Sequence, residues 1–136
     1  MTDKHPFGAI KFNSVVYLGA GNGESLSELL AQVKADHWHL VEGDSKKYKR
    51  LQQAADTLES NDKIKLHNCV VSDDGTQKTW FSFNLGEFSG LKKAKDLAKL
   101  FPGIKLKHQS MVDTEALPNF LEQLELSSKE SNLLII

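Results

Sequence analysis

A short apolar run, Val15-Val16-Tyr17-Leu18, leads into glycines at three alternate positions, Gly19, Gly21 and Gly23. Ser25-Leu26-Ser27-Glu28 follows at once. No other stretch of the chain constrains its fold as much. The apolar run suits a strand buried in a parallel sheet. Ser25 and Glu28 have the spacing of a capping box, which opens a helix. Leu26, Leu29, Leu30 and Val33 then give that helix one apolar face. The order is strand, glycine turn, helix. Glycines let a backbone approach a ligand closely, and a helix N-terminus offers unpaired N–H groups to an anion. The plainer use of such a turn is close packing of strand against helix. The dinucleotide pattern G-x-G-x-x-G/A fails, because its sixth position is Glu24. The phosphate loop fails too, because no lysine with a serine or threonine follows Gly23.

The chain continues the same rhythm. The first helix is expected from about Ser25 to Lys34, and a second strand over His37–Glu42. Asp44 or Ser45 caps a second helix, with Tyr48, Leu51, Ala55 and Leu58 on one face and Asn61-Asp62 at its end. Ile64–Val71 reads as a third strand, and Asp73-Asp74-Gly75 as a turn. This is β-α-β-α-β, the start of a doubly wound sheet. Lys78–Asn84 then reads as a strand pairing antiparallel with its neighbour, since the connection is too short for a crossover helix. A loop at Gly86–Gly90, a lysine-rich helix over Leu91–Phe101 stopped by Pro102-Gly103, and a strand over Ile104–Val112 follow. A helix near Glu115–Leu124 holds Pro118 in its first turn. Asn132–Ile136 is an apolar strand.

The 136 residues suit one domain. A net charge of -1 argues against a general nucleic-acid or anionic-membrane binder. Cys69 is the only cysteine, so no intrachain disulfide forms. Met1–Phe7 is polar, with no signal-peptide apolar region and no membrane-spanning run, so a cytoplasmic protein is expected.

Glu42 lies 23 residues after Gly19, at the end of the second strand. A carboxylate there faces the glycine turn across the sheet crevice and can accept both ribose hydroxyls of a nucleoside. Its plainer role, capping the second helix, is open to Asp44 or Ser45 instead. Val70-Val71-Ser72-Asp73 reaches the same edge, where backbone groups and the Ser72 or Asp73 side chains can hold adenine; as Ser-Asp-Asp-Gly it is also a plain turn. His37 with His39, and His67 with Cys69, each share a strand face, but a closed zinc site usually needs four ligands and no complementary pair is evident. No metal is expected. Cys69 reads as a small strand residue. Lys92, Lys93, Lys95 and Lys99 read as a solvated helix face. Trp80, Phe81, Phe83 and Phe88 read as core before acceptor pocket.

The glycine turn also resembles motif I of the S-adenosylmethionine-dependent methyltransferases. Three stretches together resemble the FkbM-like group among them: Tyr17–Gly23, then Leu40–Asp44 with Tyr48 and Leu51, then Cys69–Gly75. Gly86–Gly90 and Ser110–Leu117 look similar to that family's later loop and strand-to-helix segment. The order of these motifs carries the likeness, from Val15 onward. The family usually has an acidic residue where Tyr17 stands, and it continues past its fourth core strand into a further acidic motif, whereas this chain ends at Ile136. Residues 1–136 are therefore expected to be a single, incomplete methyltransferase-like domain.

The resemblance implies an α/β fold: a Rossmann-like methyltransferase sheet, mostly parallel in the order 3-2-1-4, with an antiparallel insertion after the third strand. It implies S-adenosylmethionine as cofactor and O-methyl transfer to a small-molecule or glycan acceptor. The cofactor-binding residues implied, with the anchors above, are Gly19, Ala20, Gly21, Asn22, Gly23, Glu42, Gly43, Ser72 and Asp73. No catalytic residue is assigned. Two other readings stay open: a non-catalytic or truncated nucleoside-binding or interaction module of the same fold, and a nicotinamide-dependent oxidoreductase, disfavoured by Glu24. A final apolar strand with no strand beyond it would be a sheet edge, which invites pairing with another chain. A homodimer through that edge, or a longer protein, is expected.

Overall fold

Val15 and Val16, adjacent in β1 (Lys11–Leu18), are both shut off from solvent. Neighbouring strand residues point to opposite faces, so β1 must be covered on both. The computed structural model describes residues 10–59, 61–84, 89–91 and 103–136. In it β1 lies between β2 (Lys34–Val41) and β8 (Asn132–Ile135), with β3 (Ile64–His67) beyond β2, and all pairings are parallel. On one face, residues of α1 (Leu26–Gln32) and α2 (Ser45–Asp56) pack over Phe12, Val15, Trp38 and Leu40. On the other, Phe120 of α3 (Leu117–Gln123) packs with Val16 and Val41. The fold is α/β, with a mostly parallel sheet. No described helix is long and apolar enough to cross a membrane.

Local sequence explains the helices. Asp44 caps α2: its carboxylate accepts the amide protons of Lys46 and Lys47 at 2.9 and 3.3 Å. Leu51 and Ala55, four apart, are the buried positions of that helix. Ser25 precedes α1 but makes no side-chain cap, so the expected capping box does not form. Asn22 organises the turn instead: its side chain accepts the Glu24 amide proton at 3.3 Å and donates to the Glu24 carboxylate at 3.1 Å. α1 stops at Gln32, Val33 is extended, and β2 starts at Lys34 rather than His37. Burying Val33 while α1 feeds directly into β2 ends the helix two residues before its apolar spacing alone would.

The expected third strand is two pieces. β3 ends at His67, and β4 (Val71–Ser72) pairs parallel with β7 (Glu115–Ala116) in a separate ladder. Asn68 marks the break, donating from its side chain to the Glu42 carbonyl at 2.9 Å. β5 (Lys78–Phe83) is antiparallel, but its partner is β6 (Leu106–Val112) and not the preceding strand. α3 begins two residues after Glu115, with Pro118 in its first turn, because Glu115 and Ala116 are spent on β7. The helix expected over Leu91–Phe101 lies almost wholly outside the described residues, as does most of the Gly86–Gly90 loop.

Candidate functional site

Parallel strands end together, and β1, β2 and β3 deliver Leu18, Val41 and His67 to one rim of the sheet. The chain runs outward from β1 through β2 to β3, while β8 returns to the opposite side of β1. That reversal is where open α/β sheets leave a crevice. A cleft of about 420 Å³ lies there. Leu18, Gly19, Gly21, Val41, Glu42 and Gly43 line it from the first two strand ends, and Cys69, Val70 and Val71 from the third. Lys47, Trp80, Ser89, Leu91 and Ile136 complete the lining.

Glu42 is the pivot. It is only 7% exposed, yet it lines the cleft. One carboxylate oxygen, Oε1, accepts the Gly21 amide proton at 2.8 Å; the other, Oε2, accepts that of Asp44 at 2.8 Å. The side chain thus ties the first glycine turn to the start of α2. A carboxylate offers about four lone-pair sites, so capacity remains for two hydroxyl donors. Two more amides of the turn are also spent: Gly19 and Ala20 both donate to the Val41 carbonyl, at 2.9 and 3.0 Å. These N–H groups point into the sheet end and are not free for an anion.

The glycines divide by role. Gly19, Gly21 and Gly23 all have positive φ, which other residues reach only at a cost. A Cβ on Gly19 or Gly21 would meet nothing within 4 Å, so these two keep the cleft side open. A Cβ on Gly23 would sit 2.8 Å from the Ala54 Cβ, so Gly23 serves contact with α2. Gly43 is hemmed in by Val70 and by the Trp80 ring. Ala20 and Asn22 border a smaller hollow beside Tyr17 and Leu51, away from the main cleft.

Ser72 and Asp73 do not line the cleft. The Ser72 hydroxyl is buried and accepts the Gly75 amide proton at 2.9 Å. It lies 2.7 Å from the Thr114 hydroxyl, whose own proton goes to the Thr76 carbonyl, so Ser72 donates there. Asp73 is exposed and pairs with Lys78 at 3.4 Å. Asp74 accepts from the Thr76 amide and hydroxyl and from Lys78, contacts that hold its carboxyl down at about 2. The segment is a self-contained turn, and Cys69–Val71 just before it reaches the cleft.

Two lining residues, Lys47 and Trp80, are not placed at the cleft by spacing along the chain. Lys47 falls one turn into α2, where only the helix cap predicts its direction. Trp80 comes from β5, whose placement against Gly43 depends on a ribbon formed with β6, far along the chain. The Cys69 thiol is pushed up to about 11 by burial and by the neighbouring Glu115 carboxylate, so it is a poor nucleophile.

Beneath the rim, His39 Nδ1 and His67 Nε2 lie 3.1 Å apart. Burial chiefly, then the facing His67 ring, holds His39 down at about 4; burial and Lys65 also lower His67. Both rings are neutral at pH 7, one donating to the other. Among the described residues no group of three or more histidine, cysteine or acidic side chains is placed to hold a metal ion. No family model, no curated protein and no solved structure matches this chain.

Proposed function

We propose that this chain is a Rossmann-like, S-adenosylmethionine-binding domain of the methyltransferase type, with β8 as the fourth core strand and the β5–β6 ribbon as the insertion. The observation that carries the reading is the Glu42 carboxylate at the rim of the 420 Å³ cleft, fixed by two backbone amides with acceptor capacity to spare. A ribose fits that acceptor, and the apolar Val70 and Val71 suit the face of an adenine. Three of the glycine-turn amides are unavailable to the pyrophosphate of a dinucleotide. A pyrophosphate needs free N–H donors at the turn, and those of Gly19, Ala20 and Gly21 are taken by Val41 and Glu42.

S-adenosylmethionine would supply an electrophilic methyl group. The chain's part is to hold the nucleoside and keep the acceptor in line with that methyl, and such positioning accounts for much of the rate of a displacement. Preferential binding of S-adenosylhomocysteine over NAD tests the reading. Methyl transfer to any acceptor then separates an enzyme from a binding module of the same fold. A homodimer through β8 remains part of the proposal, supported by the half-exposed Leu134 on β8, one of the two edge strands of the described sheet. Sedimentation as a dimer at micromolar concentration supports it, and a monomer refutes it.

A further inference from the structure

A second cleft, of about 660 Å³, also has Trp80 in its lining. The two clefts share Gly43, Trp80 and Ser89 as a common wall. That wall is tight: a Cβ on Gly43 would stand 3.4 Å from the Trp80 ring and 2.8 Å from Val70. The volume lies in the range of small-molecule sites. Its lining has a definite chemistry. Trp80 and Phe83 supply flat apolar surface, while Lys46 from the start of α2 and Lys107 from β6 supply positive charge. Neither lysine is in an ion pair among the described residues. Asp44 is the single described carboxylate on this lining. It accepts the amide protons of Lys46 and Lys47 as the cap of α2, so its charge is offset by the helix end. A chain of net charge -1 therefore presents a cationic, aromatic hollow next to its nucleoside cleft.

We propose that this second cleft is the acceptor subsite, and that it takes a small organic anion whose flat ring lies against Trp80 and Phe83 with its acidic group toward Lys46 and Lys107. This rests on the methyltransferase reading for the word acceptor; the anion preference stands on the lining alone. The shared wall explains the pairing of the clefts. Gly43, Trp80 and Ser89 line both clefts, so an acceptor held in the second lies beside the first, and its reacting oxygen has to reach past that wall into the Glu42 cleft.

The test uses 4-hydroxybenzoate and its uncharged analogue 4-hydroxybenzamide, titrated into the full chain and followed by tryptophan fluorescence. The chain has two tryptophans, and Trp38 is buried in the core, so the signal is assigned by repeating the titration with Trp80→Phe. The acid is expected to bind about ten-fold more tightly than the amide, as two exposed lysine contacts allow. Lys46→Gln/Lys107→Gln should remove that preference while its melting temperature and its affinity for S-adenosylhomocysteine match wild type. Equal binding of acid and amide, no binding of either, or a preference that survives in the double variant would overturn the inference. If S-adenosylhomocysteine binds and the acid does not, the subsite falls alone. If the acid binds in the predicted pattern and S-adenosylhomocysteine does not, the anion site stands and the methyltransferase reading falls.

Discussion

Glu42 Oε1 accepts the amide proton of Gly21 at 2.8 Å, joining the ends of two adjacent parallel strands through one buried carboxylate. With Asp44 held by Oε2, Glu42 is at once a structural tie and the polar floor of a cleft.

Both roles have measurable costs. Glu42→Ala leaves the Gly21 and Asp44 amides without their acceptor and should destabilise the domain by about 2 kcal/mol. Glu42→Gln keeps one acceptor oxygen and should lose less. Urea unfolding of the three proteins checks the order wild type, Gln, Ala. An alanine variant as stable as wild type would remove the structural tie from the account.

Gly19 and Gly23 should respond differently to alanine. Each has positive φ, so each pays about 1–2 kcal/mol for a side chain in the left-handed region. Gly23→Ala also drives a methyl against Ala54, an overpacking cost of about 1–3 kcal/mol more. Thermal melts should therefore rank Gly23→Ala below Gly19→Ala. Ligand affinity should fall more in Gly19→Ala for its modest loss of stability, because Gly19 faces the cleft.

Stability should depend on the His39–His67 pair. His39 is held at about 4 in the folded protein against an ordinary 6.5, so the unfolded chain takes up the proton first as pH falls. The neutral pair's contribution is complete above 6.5 and is lost progressively as pH drops toward 4. The loss is on the order of 2–3 kcal/mol from His39. The groups facing the pair are Lys65 and His37, which disfavour protonation, and Glu115, which favours it at His67. Denaturant unfolding at pH 7 and pH 5 measures the slope, and His39→Leu should flatten it. An unchanged slope in that variant would refute the assignment.

Cys69 should react slowly with thiol reagents. Raising its thiol from an ordinary 9.0 to about 11 cuts the thiolate fraction at pH 8 by about a hundred-fold. Glu115→Gln should speed the reaction, since that carboxylate is one cause of the shift. Because Cys69 lines the cleft, a bound nucleoside should slow it further. Reaction with a chromogenic disulfide, timed with and without S-adenosylhomocysteine, reads all three effects.

The parts legible in the sequence are those that depend on neighbours along the chain. β1, the glycine turn and α2 follow from apolar spacing and an Asp44 cap, and Glu42 from its distance to Gly19. What was not legible depends on partners far away. The break after His67 comes from Asn68 reaching back to Glu42 and from β4 pairing with β7, more than forty residues on. Ser72 looked like a ligand residue because its hydroxyl is polar and near the rim. The Gly75 amide, three residues on in the plain turn that the spacing also allowed, and Thr114, forty-two residues away, take it up. His39 and His67 belong to different strands, and only the β2–β3 register brings them together.

Calorimetric titration of the chain with S-adenosylhomocysteine, beside NAD, tests the central claim most directly. The account predicts one site, S-adenosylhomocysteine bound more tightly than NAD, and an affinity about ten-fold weaker or worse in Glu42→Gln. Tighter binding of NAD, no binding of S-adenosylhomocysteine, or equal affinity in wild type and Glu42→Gln would contradict it.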